Sequence, residues 1–222
     1  MVPCEYILEQ LYKCYDLGQS PSNYFDYGQI NNLASSRNED IRSSLAKALV
    51  NHKVIDDAVK WLSQLAKDSD ALVRVEAVDS LRTFVCRQSF DALCQATVDS
   101  DALVRGYAVY GVAIIGKEIS FDEAKIILLS MVACENNPRV LVDIYEGLYV
   151  LGETTALKDL FSLIHIDDYL VQCAVIHACE EIANDRNKQI ILSFLSRYIP
   201  FDNTVVKSAC QKAIENIAEQ EQ

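Results

Sequence analysis

Glycine and proline are scarce in this sequence, which has seven Gly and four Pro among 222 residues. Both residue types mark turns and loops, so their scarcity leaves little room for the many short connections of an all-β protein. Apolar and polar residues do not alternate persistently, and no linker-like stretch divides the chain. The sequence therefore predicts helices throughout and a single domain over residues 1–222.

Long apolar runs and closely paired cysteines are also missing. The longest apolar stretch, Ile126 to Cys134, contains Ser130 and is far shorter than the ~20 residues of a membrane-spanning helix. The eight cysteines include no Cys-x-x-Cys pair, and most lie in apolar helical patterns, where Cys acts as a small hydrophobic residue. Glu5 and Glu9 interrupt the region where a secretory signal peptide needs apolar residues. We expect a cytoplasmic protein with reduced thiols and no membrane attachment.

Positive charge is in deficit. The chain has 20 Lys and Arg against 32 Asp and Glu, a formal net charge of −12. Affinity for nucleic acids comes largely from Lys and Arg that replace counterions along the phosphates, so this balance argues against DNA or RNA as the partner. It favours either a protein partner with a basic surface or simple solubility, and composition leaves both open.

Motifs for catalysis, phosphate binding and metal binding are absent. The sequence has no Gly-x-Ser-x-Gly, no glycine-rich loop after a strand and no His-Glu-x-x-His. Cys173 and His177 lie one helical turn apart, but one such pair without a second does not make a zinc site. Three glycines spaced by five favour close helix packing over phosphate binding: Gly106, Gly111 and Gly116. We therefore expect no catalytic residue, no metal and no cofactor.

Two segments of the chain are nearly identical. Asp-Ser-Asp-Ala-Leu-Val-Arg occupies residues 68–74 and again residues 99–105, an offset of 31 residues. A fixed offset of this size indicates stacked supersecondary units. Small or apolar residues three and seven positions after the arginine recur at six register marks: Arg42, Arg74, Arg105, Leu141, Val171 and Lys207. The sequence predicts six repeats, at about residues 20–52, 53–85, 86–117, 118–152, 153–184 and 185–222.

Each repeat has the pattern of two helices. The second helix follows the register mark, and its apolar residues recur at helical spacing. Start signals agree with this division, since Asp70, Asp101 and Asp202 are suitable N-caps and Asn137-Pro138 opens the fourth second helix. First helices are predicted at about residues 23–35, 55–67, 90–99, 121–134, 156–165 and 188–198. A further helix within residues 1–19 would cover the exposed N-terminal end of the array.

These repeats resemble HEAT repeats, particularly the short bacterial HEAT-like kind. That family tends to place an Asp in the turn between its two helices and a Val-Arg pair about six residues later, as Asp68 with Arg74 and Asp99 with Arg105 do. The Asp can accept hydrogen bonds from a helix start, and the Arg can reach the Asp of a neighbouring repeat. The resemblance implies an all-α fold, a right-handed α-α superhelix of about six helical hairpins with an N-terminal capping helix.

The resemblance also implies where a partner would bind. HEAT arrays are mostly scaffolds, adaptors and inhibitors that grip proteins, and their second helices line the concave face. Positions two and five residues after each register mark share one side of these helices. We call this surface, with Tyr149 beyond it, the second-helix face. Its central candidate binding residues are Glu76, Asp79, Tyr107, Tyr110, Asp143, Glu146 and Tyr149.

Tyrosines flanked by carboxylates are typical of a protein-binding surface. Tyrosine is enriched at binding hot spots, and carboxylates would select Lys and Arg on the partner. The alternative is an ordinary solvated helix face whose tyrosines pack between repeats. We predict a non-catalytic module that binds a basic protein, such as an adaptor, or an inhibitor of the kind represented by immunity proteins. A chromophore lyase or a DNA glycosylase, two enzymes known on HEAT-like arrays, is the alternative function, and the oligomeric state is left open.

Overall fold

The computed structural model describes residues 27–50, 55–198 and 203–219, which form twelve helices and no strand. The all-α prediction of helical hairpins is therefore confirmed for these ranges. The proposed capping helix within residues 1–19 and the proposed cap Asp202 lie outside them. No helix in the same ranges is both long enough and apolar enough to cross a bilayer.

The chain divides into two compact units, Met1–Ser120 (unit 1) and Phe121–Gln222 (unit 2). The division lies close to the predicted boundary between the third and fourth repeats, and the single domain over residues 1–222 stays a prediction. The helices of unit 1 are α1 (Tyr27–Ala34), α2 (Glu39–Leu49), α3 (Ile55–Leu65), α4 (Ala71–Leu81), α5 (Arg87–Ala96) and α6 (Ala102–Ile119). Those of unit 2 are α7 (Phe121–Val132), α8 (Pro138–Val150), α9 (Ala156–Ser162, extended by a 3-10 turn Leu163–His165), α10 (Tyr169–Glu181), α11 (Lys188–Ser196) and α12 (Thr204–Glu219).

The even-numbered helices are the second helices of the hairpins. In unit 1, α2, α4 and α6 pack in succession, and in unit 2, α8, α10 and α12 do the same. The apolar positions three and seven residues after each register mark supply much of this packing. In unit 1 all six are buried: Leu45, Leu49, Ala77, Leu81, Ala108 and Val112. Burying these side chains supplies the main driving force for stacking the hairpins.

Asp and Asn side chains start the second helices. The Asp70 carboxylate accepts hydrogen bonds from the amides of Leu72 and Val73, and Asp101 caps α6 in the same way, as predicted. Asn137 accepts from the amide of Arg139 with Pro138 in the first turn of α8, also as predicted. Three further caps were missed by the sequence reasoning: Asn38, Asp168 and Asn203. Each satisfies an amide that the helix itself leaves without a carbonyl partner.

Paired Arg and Asp side chains tie neighbouring hairpins of unit 1 together. The Arg42 guanidinium donates from Nε to Asp68 Oδ2 at 2.6 Å and from Nη2 to Oδ1 at 2.8 Å. Arg74 repeats this arrangement with Asp99, both distances being 2.8 Å, and its Nη1 also donates to the Asp68 carbonyl at 3.0 Å. The predicted link between an Arg and the Asp of the next repeat is confirmed at both places.

The side chains of Asp68 and Asp99 also accept hydrogen bonds from backbone amides in the turns between the helices. Asp68 Oδ1 accepts from the amide of Asp70 at 2.9 Å, and Asp99 Oδ1 accepts from that of Asp101 at 2.8 Å. Burial alone would raise the pKa of Asp99, but the hydrogen bonds from Arg74 and from this amide outweigh it and leave that pKa below its ordinary value. The repeated sequence motif thus forms a structural joint between neighbouring hairpins.

Gly111 permits α6 to lie close against its neighbours. A Cβ at this position would stand 2.9 Å from both Cδ atoms of Leu93 on α5 and 3.3 Å from Arg82 Cβ. Leu93 is itself fully buried and has little room to move. At Gly111 the prediction of close helix packing is therefore confirmed.

Candidate functional site

The part of the second-helix face in unit 1 carries paired charges. Glu76 and Asp79 lie on α4, as the sequence placed them. Lys47 Nζ on α2 is 2.9 Å from Glu76 Oε1, and Arg82 Nε at the end of α4 is 2.6 Å from Asp79 Oδ1. Both predicted carboxylates are thus balanced by cations of the same unit. Arg82 was missed, although its spacing of three residues from Asp79 is a helical ion-pair spacing that could have revealed it.

The two candidate tyrosines of unit 1 differ in accessibility. Tyr107 on α6 is 37% exposed. Tyr110, one turn later, is half-buried, and the Arg82 guanidinium carbon lies 5.2 Å from the centre of its ring, within cation–π range. Tyr107 therefore keeps part of its ring accessible to solvent, whereas Tyr110 is held in place by Arg82.

The three candidate residues of unit 2 all lie on α8. Asp143 is paired with Arg139 one turn earlier, with 2.6 Å between Oδ1 and Nη1. Burial raises the pKa of Asp143, and Arg139 offsets part of that rise. Arg139 was also missed by the sequence reasoning, and its spacing of four residues from Asp143 was the available signal.

Glu146 is the one candidate carboxylate that is buried. The sequence placed its side chain on the outward side of α8, but only 9% of the residue is exposed, because α10 packs against α8. Burial, followed by the negative charges of Asp143 and Glu181, raises the pKa of Glu146 to about 7, although Arg139 acts in the opposite sense. This carboxyl group therefore changes its charge near neutral pH.

Tyr149 is fixed by an asparagine that the sequence reasoning did not single out. The buried Asn187 donates from Nδ2 to the Tyr149 hydroxyl at 2.9 Å and to the Ile182 carbonyl at 2.8 Å. Its Oδ1 accepts from the Asn184 amide at 2.7 Å. Asn187 thus organises the turn between α10 and α11 and holds the hydroxyl of Tyr149 in one place. An asparagine in a turn gives no sequence signal for such a distant contact.

Negative charge on the second helices is concentrated in unit 2. Helices α8 and α10 together carry four acidic residues against one arginine: Asp143, Glu146, Glu180 and Glu181 against Arg139. Glu180 Oε1 accepts from Asn216 Nδ2 on α12 at 2.6 Å. His177 Nδ1 lies 3.8 Å from Glu181 Oε1, and both side chains are exposed. The acidic character expected of the whole face is therefore strongest on α8 and α10.

Metal binding has no geometric support in the described ranges. Among those residues, no group of three or more His, Cys, Asp and Glu side chains is placed to hold a metal ion. Cys173 and His177 share α10, and Cys173 is half-buried with a pKa raised by burial. A thiol that is harder to ionise is a poorer metal ligand.

Comparison with known proteins supports the repeat assignment. A family model described as HEAT repeats matches residues 29–113 and 59–148, which together span more than half of the chain. The complex of CpcE and CpcF of phycocyanin lyase from Nostoc sp. PCC7120 is similar at 15% identity and a TM-score of 0.58, over 89% of this chain and 89% of that chain. A designed armadillo repeat protein is similar at 16% identity and a TM-score of 0.45, over 86% of this chain and 100% of that chain. No curated protein sequence matches significantly. At such identities the likeness to the lyase complex concerns the fold alone.

Proposed function

The chain belongs to the HEAT-repeat family, and from this premise we propose that it is a non-catalytic protein-binding module. Its second-helix face would receive a protein partner with a basic surface. Stacked helical hairpins of this kind form a scaffold suited to protein binding, because their second helices present side chains in a repeating, rigid array.

The observation that carries the proposal is the surface of the second helices. In unit 1 these helices carry the exposed ring of Tyr107, and in unit 2, taken by itself, α8 and α10 carry an excess of carboxylates. A tyrosine ring supplies apolar contact area with few rotatable bonds, and the carboxylates attract a cationic surface and select its orientation. We also propose a cytoplasmic location, which fits the absence of disulfide bonds among the six described cysteines.

Replacement of Tyr107 by alanine tests the proposed face. The partner is first captured from cell extract on the immobilised protein, identified by mass spectrometry and purified. We then expect Tyr107→Ala to weaken its affinity by about tenfold or more, since truncated hot-spot tyrosines typically cost ~2 kcal/mol of binding free energy. Affinity measured by biolayer interferometry should also fall as salt is raised, because the attraction between the two surfaces is screened.

Leu129→Ala is the control. Leu129 lies on the first helix α7 and is 46% exposed, so it is outside the second-helix face. Its replacement should leave affinity within about twofold of the unchanged protein. Equal losses in the two variants, or a loss only at Leu129, would rule out the proposed face. Tight retention on duplex DNA at moderate salt would instead replace the protein partner with a nucleic acid.

An enzyme on the same scaffold is the second candidate. It is favoured by the raised pKa values of Asp143 and Glu146, since shifted carboxyl groups cluster at catalytic sites. The similarity to the lyase complex supports this alternative only by showing that an enzyme complex contains the same fold. Turnover in a chromophore-lyase or DNA-glycosylase assay, abolished by Asp143→Asn or Glu146→Gln, would establish it. Binding without turnover supports the protein-binding module.

A further inference from the structure

No described residue donates a hydrogen bond to the carboxylate of Glu146. The residue is 9% exposed, and its carboxylate oxygens keep some contact with solvent. A carboxylate in a largely buried position usually acquires compensating donors or a cation, because its partial desolvation is otherwise uncompensated. Glu146 therefore combines an unfavourable surrounding for its charge with oxygens that a positively charged ligand can reach.

The residues around Glu146 also favour a positively charged ligand, because most of their charges are negative. Asp143 lies one turn earlier on α8, and Glu181 lies on α10, and both negative charges act on the Glu146 carboxyl group. Arg139 is the cation of α8, but it is paired with Asp143 and its side chain is 49% exposed. On α10, the imidazole of His177 is turned to Glu181 at 3.8 Å. Burial, and after it the charge of Glu146, raises the pKa of the Cys179 thiol on α10.

The chemistry of the site selects among possible cations. A metal ion does not fit, because the described residues include no group of three or more side chains placed to bind one. An ammonium group is compact and strongly hydrated, so transferring it into this buried position would cost more than transferring a guanidinium group. A guanidinium group is planar, weakly hydrated and able to donate to two carboxylates at once.

We propose that Glu146, with Asp143 and Glu181 beside it, is the recognition site for one arginine side chain of the protein partner. The inference rests on the proposed function and narrows it, since it names the partner's anchoring group and the unit that receives it. The arginine would donate to Glu146 and share its positive charge with the neighbouring carboxylates, which would provide the compensation that no described residue supplies.

A small arginine probe tests the site without the partner. N-acetyl-arginine N-methylamide is titrated into the full chain at pH 8, and amide resonances of α8 and α10 are followed by NMR. The matched probe is the citrulline derivative, which has nearly the same shape but no charge. We expect saturable shifts on α8 and α10 with arginine and binding weaker by about tenfold or more with citrulline.

Variants separate the site from general acidity. Glu146→Gln should weaken arginine binding by about tenfold, whereas Glu215→Gln, at an exposed position on α12, should leave it unchanged. A melting curve establishes that each variant is folded. Equal binding of the two probes, the absence of saturable shifts, or full binding by Glu146→Gln would each overturn the proposal.

The captured partner distinguishes this inference from the proposed function. If both Tyr107→Ala and Glu146→Gln weaken capture, and replacing one arginine of the partner by lysine does the same, the arginine site is supported. If only Tyr107→Ala weakens capture, the protein-binding face stands and the arginine site is wrong. If neither variant has an effect, the proposed function itself fails.

Discussion

Replacing Arg74 with alanine is expected to lower the free energy of unfolding by about 2–4 kcal/mol. The Arg74 and Asp99 side chains are each only 13% exposed and meet through two hydrogen bonds of 2.8 Å. Without the guanidinium group, Asp99 keeps its negative charge in a largely desolvated position, and the tie to the next hairpin is lost. Urea denaturation followed by circular dichroism measures the change.

Two further variants show whether this loss comes from the ion pair. Arg197→Ala, at an exposed position, should change stability by less than about 0.5 kcal/mol. The double variant Arg74→Ala with Asp99→Ala should recover part of the loss, because it removes the isolated carboxylate as well. A loss below about 1 kcal/mol for Arg74→Ala would mean that the pair behaves like an ordinary surface salt bridge and does not hold the hairpins together.

Replacing Glu146 with glutamine is expected to raise the stability of the protein at pH 8 by about 2–3 kcal/mol more than at pH 5. The pKa of Glu146 is raised from 4.5 to about 7 in the folded protein. The folded state therefore binds this proton more tightly than the unfolded state does. The resulting stability is fully present below the unfolded pKa, and it is lost as the pH rises through the folded pKa. Glutamine carries no charge at either pH, so it avoids that loss.

The pH series has its own control. Unfolding free energies of the unchanged protein, Glu146→Gln and Glu215→Gln are measured by urea denaturation from pH 5 to pH 8. Asp68 and Asp99, whose pKa values are lowered, affect stability mainly below this window, near pH 4 and under. Glu215→Gln should follow the unchanged protein, whereas Glu146→Gln should show a flatter dependence. Parallel curves for all three would show that Glu146 ionises normally in the folded state.

The joint between repeats was predictable because its parts are fixed by sequence spacing. Asp70 and Asp101 each stand two residues after the Asp of a turn, so the local backbone brings them to the helix start. The offset between Arg74 and Asp99 repeats that between Arg42 and Asp68 almost unchanged, so stacked hairpins bring the partners together again. The sequence repeat and the regular stacking of hairpins were therefore sufficient to predict both the helix caps and the Arg–Asp pairs.

The electrostatics of the site depend on details that periodicity does not contain. Helical spacing places Glu146 on one side of α8 but does not reveal how closely α10 covers it. The contact between Asn187 and Tyr149 joins residues 38 positions apart through an irregular turn. The ion pairs of Arg82 and Arg139 follow the helical spacings of three and four residues, so the sequence could have predicted them. They show that much of the expected acidic surface is already neutralised.

Footprinting of the complex with the captured partner tests the central claim most directly. Hydroxyl-radical oxidation, read by mass spectrometry, compares Tyr107 on the second-helix face with Phe121 and Leu129 on the first helix α7, all of which are exposed. The proposed binding mode requires that the partner slow oxidation of Tyr107 several-fold while the rates at Phe121 and Leu129 stay unchanged. Protection of Leu129 with Tyr107 still fully reactive would contradict it.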